Sequence, residues 1–277
     1  MSNTINFGVS PYRTTMSLNR VNSLLADNME RLSSGMRVNR AADDPAGLAV
    51  ANMLAAKDNS ASAALRNTAQ GTSLIATAEG AMGEIGNILD RMRELAVQSA
   101  NETLTSSQRS NIDDEYEELS AEIDRISAAT EYNDIKLTDG STSTLTVQVG
   151  IDGSTASQID LSFSDVDSSA LSIDTSTIDL STASGASSAI TAIDSAIDTI
   201  ASERASLGAS QNRLNAASNY MSEMQMAARA SRSSIMDADM AFEIAESSRL
   251  QVIQAAGIAA LAQARNINSS IIGLLNG

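Results

Sequence analysis

Leu54, Ala61, Thr68, Ile75, Met82, Leu89 and Ala96 stand at strict intervals of seven, with Ala64, Gly71, Ala78, Ile85 and Met92 three or four positions off them. A repeat of this length lays a seam along one side of a helix, and another helix must cover that seam. If residues 45–99 form one helix it is roughly 80 Å long at about 1.5 Å per residue. That is too long for any compact domain of 277 residues, so the helix needs a partner along its whole length. Sevens return at Ile193, Ile200, Leu207, Leu214 and Met221, with Ile190 and Ile197 beside them and polar Arg204, Gln211 and Ser218 at the alternate seam positions. This second stretch is the expected partner.

Composition fits slender helix–helix seams better than a thick core. Hydrophobic residues make up 43% of the chain but aromatics only 3%, with no Trp, so burial falls to Ala, Leu, Ile and Met. Cys and His are both absent. That removes thiol and imidazole chemistry, disulfides and the usual zinc, copper and haem ligands. Ser, Lys and paired carboxylates remain, but no spacing among them asks for catalysis, a cofactor or a metal. The net charge of −16 is unevenly spread: nine basic against nine acidic residues in 1–100, three against 17 in 101–185, six against eight in 186–277. Nearly neutral ends can pack against copies of themselves, whereas an acidic middle belongs in water and argues against nucleic acid or anionic membrane as partner.

Along the chain, Leu18, Val21, Leu25, Met29 and Leu32 mark one face of a first helix, which Ser10 and Pro11 would start. Gly35 ends it, and Asp44 then Pro45 cap and begin the next. Thr105 with Gln108 is a capping-box pattern opening a third helix through Ile112, Tyr116, Leu119, Ile123 and Ile126 to about Thr130. The acidic run at 113–118 reads as its solvated face. Near Asn133-Asp134 the period changes. Leu145, Val147, Val149 and Ile159, Leu161, Phe163 then alternate about an Asp152-Gly153 turn, which predicts a β-hairpin. Residues 164–188, rich in Ser, Thr and Asp, are expected to be exposed and irregular or weakly β.

A last helix over about 236–275 carries Leu250, Ile253, Gly257, Ala260, Ala264, Ile267, Ile271 and Leu274 on one face and Ile258, Leu261, Ile272 and Leu275 on another. Its only local partner, the first helix, can cover one face; the other asks for neighbouring subunits. The expected polymerisation interface is therefore Leu18, Val21, Leu25, Leu32, Leu250, Ile253, Ile258, Leu261, Ile267, Ile271, Leu274 and Leu275, and both terminal helices are expected to order only on assembly. A repeated contact whose rotation does not close gives an open filament.

Two strings carry a resemblance. Residues 32–50 (L-S-S-G-M-R-V-N-R-A-A-D-D-P-A-G-L-A-V) and 234–263 (S-I-M-D-A-D-M-A-F-E-I-A-E-S-S-R-L-Q-V-I-Q-A-A-G-I-A-A-L-A-Q) resemble the N- and C-terminal segments of bacterial flagellin. The resemblance implies a non-enzymatic subunit that self-assembles into the flagellar filament for swimming. It also implies partners: the flagellar export apparatus and its chaperone, filament cap and hook-junction proteins, and the vertebrate Toll-like flagellin receptor. That receptor would read Arg91, Leu95 and Glu115, although the motif's usual leading Gln is Asp90 here. The residues themselves show neither a secretion signal in 1–20 nor a membrane-length apolar stretch, which alone would suggest the cytoplasm. Flagellins leave through their own export channel, so the resemblance implies an extracellular flagellum. A hook–filament junction protein of the same superfamily is the alternative, and a secreted adhesin or effector the alternative from another class.

The expectation is thus a mainly α fold: an elongated coiled-coil bundle with paired terminal helices and a small β-hairpin, and without the extra outer domains of larger flagellins. Residues 1–42 with 234–277 would form a filament-core domain. Residues 43–233 would form an outer domain with an exposed segment at about 138–188.

Overall fold

The computed structural model describes residues 9–275, with side chains from 12 to 266. Five helices dominate: α1 (Val9–Ser34), α2 (Pro45–Ser99), α3 (Ser106–Ala129), α4 (Ala183–Met236) and α5 (Met240–Leu275). The second helix begins and ends where its sequence signals put it. Asp44 Oδ1 accepts from the Gly47 N–H at 2.8 Å, capping the start, and Arg109 donates to the carbonyls of Ser99 and Asn101 at the other end, both at 2.9 Å. Such bonds satisfy groups that a helix terminus leaves orphaned. Thr105 and Gln108 form the reciprocal capping box at the head of α3.

The chain divides into two compact units, residues 1–56 with 227–277 and residues 57–226. Both divisions fall inside the long helices α2 and α4, whereas the connector-based reading places them at 42/43 and 233/234. The connectors themselves pack within the first unit, where Met36 bridges Asp237.

In the second unit the sevens of α2 from Ala61 to Ala96 are all buried, as are Ile193, Ile200, Leu207, Leu214 and Met221 of α4. Gly71 lets the layers approach: a Cβ there would lie 3.2 Å from both Leu214 Cδ1 and Val147 Cγ2. Ion pairs flank the seam at Arg93–Asp194 (2.6 Å) and Arg204–Glu79 (3.7 Å). Two antiparallel hairpins follow α3. The first, β1 (Glu131–Tyr132) with β2 (Ile135–Lys136), turns through Asn133 and Asp134 at φ 52° and 63°, which Asn and Asp tolerate better than most residues. The second, β3 (Thr144–Gln148) with β4 (Gln158–Ser162), pairs Leu145 with Leu161 and Val147 with Ile159. This is the expected hairpin.

Residues 164–182 correct an expectation. They are irregular, but they are not an exposed segment: Val166, Leu171, Ile173, Ile178 and Leu180 are buried, and α4 already begins at Ala183. Helix α3 holds this loop. Asp124 accepts from the Ser168 N–H (2.8 Å) and hydroxyl (3.0 Å), Asp113 from the Leu180 N–H (3.0 Å), and the Tyr116 hydroxyl donates to the Ile173 carbonyl (2.8 Å). Asp113 is therefore not simply part of a solvated acidic face.

The final helix starts later than expected. Met236 closes α4, residues 237–239 break the chain, and Asp239 Oδ1 caps α5 by accepting from Ala241 and Phe242.

Candidate functional site

The first unit is built on the pairing of α1 with α5. Inward positions on α1 follow a 4-3-4-3-4 spacing, Thr14, Leu18, Val21, Leu25, Asn28 and Leu32, all half-buried except fully buried Asn28. This corrects the sequence reading at one position. Met29 stands exposed and Asn28 takes its place in the seam.

On α5 the inward heptad is Glu243, Ser247, Leu250, Gln254, Gly257, Leu261 and Ala264. It draws from both apolar faces of the sequence reading and includes polar residues that neither contained. Glu243 is only 6% exposed. Its carboxylate accepts from Asn28 Nδ2 (2.5 Å) and Arg31 Nε (3.0 Å), and its carbonyl accepts from the same Asn28 amide at 3.1 Å. Gln254 donates to Asn22 Oδ1 at 2.7 Å. Gly257 receives Leu18, whose Cδ2 would lie 2.8 Å from a Cβ at that glycine. Apolar composition does not flag Glu243 as buried; its seven-residue spacing to Leu250 is the available signal.

Outside this seam the pair is greasy. Val252 is 69% exposed and Phe242 65%, and Tyr12, Met16, Leu24, Met29, Met240, Ile244, Ile253 and Ile258 are also exposed. Of the expected interface, Leu18, Val21, Leu25, Leu32, Leu250 and Leu261 thus lie between α1 and α5, while Ile253 and Ile258 face outward. The side chains of Ile267, Ile271, Leu274 and Leu275 lie outside the described residues.

The two sequence strings meet in the connectors. The Arg37 N–H donates to the Met236 carbonyl (2.6 Å), the Ala238 N–H to the Gly35 carbonyl (2.9 Å), and the Arg37 guanidinium to the Ile235 carbonyl (2.8 Å). Gly35 has φ +70°, which glycine adopts without strain. Asp43 accepts from the N–H groups of Arg40 and Asn39, which hold its carboxyl below the usual range, and Arg40 pairs with Glu30.

In the second unit, Arg91 bridges Glu115 (2.7 Å) and Glu94 (3.0 Å), all three exposed. Leu95 departs from the receptor-surface expectation. It is 1% exposed, because it lies on the core side of α2 beside Ala96 and Met92. The groove between α2, the first hairpin and β3, about 380 Å³ and lined in part by Gly71, Leu74, Tyr132, Ile135 and Val147, contains no carboxylate, amine or guanidinium. Among the described residues no helix is long and apolar enough to cross a membrane.

Terminal helices paired through a narrow seam, with several large apolar side chains left exposed outside it, have the form of a coiled-coil structural subunit. Two family models match in tandem: the bacterial flagellin N-terminal helical region over residues 5–143 and the bacterial flagellin C-terminal helical region over residues 190–275. The chain belongs to the bacterial flagellin family, whose members are structural proteins and not enzymes.

Flagellin of Halalkalibacterium halodurans is 46% identical over 137 residues, covering 50% of this chain and 50% of that protein. Flagellin A of Vibrio anguillarum is 42% identical over 156 residues (56% and 41%), and flagellin of Salmonella typhimurium 43% over 161 residues (58% and 32%). The matched part spans half or less of these relatives. The crystal structure of Bacillus cereus flagellin superposes with a TM-score of 0.50 at 34% identity, covering 56% of this chain and 88% of that one. A putative flagellar hook-associated protein from Vibrio parahaemolyticus superposes with a TM-score of 0.58 at 15% identity over 70% of this chain and 100% of that one, a likeness of fold alone.

Proposed function

We propose that this chain is the subunit of an extracellular flagellar filament, a homopolymer that serves swimming motility. The observation that supports it most directly is the outward face of α5, where Phe242, Ile244, Val252 and Ile258 stand exposed on a helix already paired with α1. Apolar surface of this extent on a lone subunit is covered by another molecule, and the near-neutral charge of both terminal segments favours further copies of the same chain. Fold alone would equally suit a hook–filament junction protein; the flagellin models and the 46% identical relative favour the filament. On this reading the chain also meets the flagellar export apparatus with its chaperone, and the cap and hook-junction proteins.

The same family reading extends to the Toll-like flagellin receptor, with a revised contact set. Arg91 and Glu115 present an exposed ion pair, while Leu95 acts from beneath by seating this turn of α2 in the core. Electron microscopy of purified chain mixed with filament fragments tests the main reading. Filaments growing from the fragments are expected; a chain that stays single at high concentration in their presence overturns it.

A further inference from the structure

Hydrophobic burial does not by itself decide which side of α5 faces α1. Ile244, Gln251 and Ile258 form a stripe one residue, about 100° of helix, from the stripe of Glu243, Leu250 and Gly257. Turning α5 by that angle would bury Ile244 and Ile258 in place of Glu243 and Gly257, and would exchange Leu250 and Leu261 for Gln251 and Ala262, so the apolar content of the seam would stay much the same. The observed pairing buries Glu243, Ser247 and Asn28 beside Leu250 and leaves Ile244 and Ile258 in the open.

The geometry points to Asn28, Glu243, Asn22 and Gln254 as positioning residues that fix the rotational phase of α5 and so keep its apolar stripe outward for a second copy. The inference rests on the assembly reading above. Asn28 gives its amide to both the carboxylate and the carbonyl of Glu243, at 2.5 and 3.1 Å, and Arg31 takes the other carboxylate oxygen. Further along the pair, at an exposed position, Gln254 donates to Asn22. In the rotated phase the Asn28 amide would lose both acceptors while still buried, and Glu243 would leave the seam without its two donors. Stranded polar groups of this kind disfavour the alternative more strongly than the bonds favour the native state.

The lock is not tuned for stability. Asn28 is 0% exposed, yet its Oδ1 has no hydrogen-bond partner. A polar residue in an apolar seam that selects one pairing at the expense of stability is a known device of coiled coils.

The chain has no cysteine, so introduced pairs report cleanly. Leu18→Cys with Gly257→Cys reports the observed phase, since these positions touch; Leu18→Cys with Ile258→Cys reports the rotated one. Each is copolymerised with excess parent chain on filament fragments. The first pair is expected to cross-link about tenfold better than the second, and adding Asn28→Leu with Glu243→Leu should shrink that preference to about threefold or less. The leucine variant should also elongate about tenfold more slowly at unchanged helix content. Glu243→Gln, whose amide oxygen still accepts from Asn28 while the Arg31 contact is lost, should keep the parent's cross-linking preference.

A leucine variant that cross-links like the parent overturns the inference, whether or not it grows more slowly. If that variant does not fold, Asn22→Leu with Gln254→Leu applies the same criterion at the other end of the pair. A parent that fails to elongate overturns the assembly reading and this inference with it. A growing parent with an indifferent leucine variant overturns this inference alone.

Discussion

Tyr116 shows how much one side chain on α3 carries. It is fully buried, its hydroxyl donates to the Ile173 carbonyl, and burial pushes its phenol well above the ordinary value, so it remains a donor throughout the working pH range. Tyr116→Phe leaves that carbonyl unpaired and should lower stability by about 1 kcal/mol, read from denaturant melts. Repeats of Asp-x-Ser staple the loop that Tyr116 holds and two turns before it. Asp139, Asp152, Asp174 and Asp179 each accept from the N–H two residues on, at Ser141, Ser154, Ser176 and Ser181. The serine side chains at all four turns, together with those N–H bonds, hold the four carboxyls below their ordinary values. A depressed carboxyl stabilises the fold at every pH above its unfolded value, about 3.9, and loses that contribution as pH falls through its folded value. Amide-exchange protection at the four serines, taken against the intrinsic rate at each pH, should therefore fall only below about pH 4. Protection lost between pH 7 and 5 would contradict this. Arg91→Ala should reduce receptor signalling by free chain about tenfold, as expected for an interface anchor; unchanged signalling removes Arg91 from that surface. The Asp-x-Ser turns could be read in the sequence as Asx signals. Tyr116 reads there only as an apolar seam position, because its partner is a backbone oxygen 57 residues away.

At the scale of elements, the long helices were legible and the short loop was not. Helix α2 follows from a heptad that repeats over seven turns of the pattern and from Asp44-Pro45 at its start, signals that lie within a few residues of what they specify. The packing of residues 164–182 depends on Asp113 and Asp124, whose carboxylates reach amides 67 and 44 residues onward. Composition alone marks such a stretch as polar and exposed. Helix α1 shows the same limit in miniature: Met29 and Asn28 differ by one position, and apolarity chooses the wrong one for the seam. The expectation that α1 and α5 order on assembly belongs at this scale too. Brief proteolysis of free chain should trim both ends back to a resistant fragment within residues 57–226, and filaments should resist; ends protected before assembly would count against coupled folding.

For the molecule as a whole, charge opposes what the terminal helices favour. Each copy carries −16, most of it from residues 101–185, so bringing copies together incurs repulsion that salt screens. Sulfate additionally strengthens apolar burial by exclusion from the surface. Elongation from filament fragments should accordingly quicken on raising ionic strength from low values to about 0.15 M, and further with sulfate. Slowing under both would mean that ion pairs between copies dominate the contact. The chain leaves the first unit along α2 and returns to it along α4, closing on itself where Met36 meets Asp237. Everything between departure and return is, along the sequence, a detour from that first unit. Passenger sequence grafted at the exposed Asp152-Gly153 bend would lengthen the detour without moving either gatepost, which makes this scaffold a natural display platform.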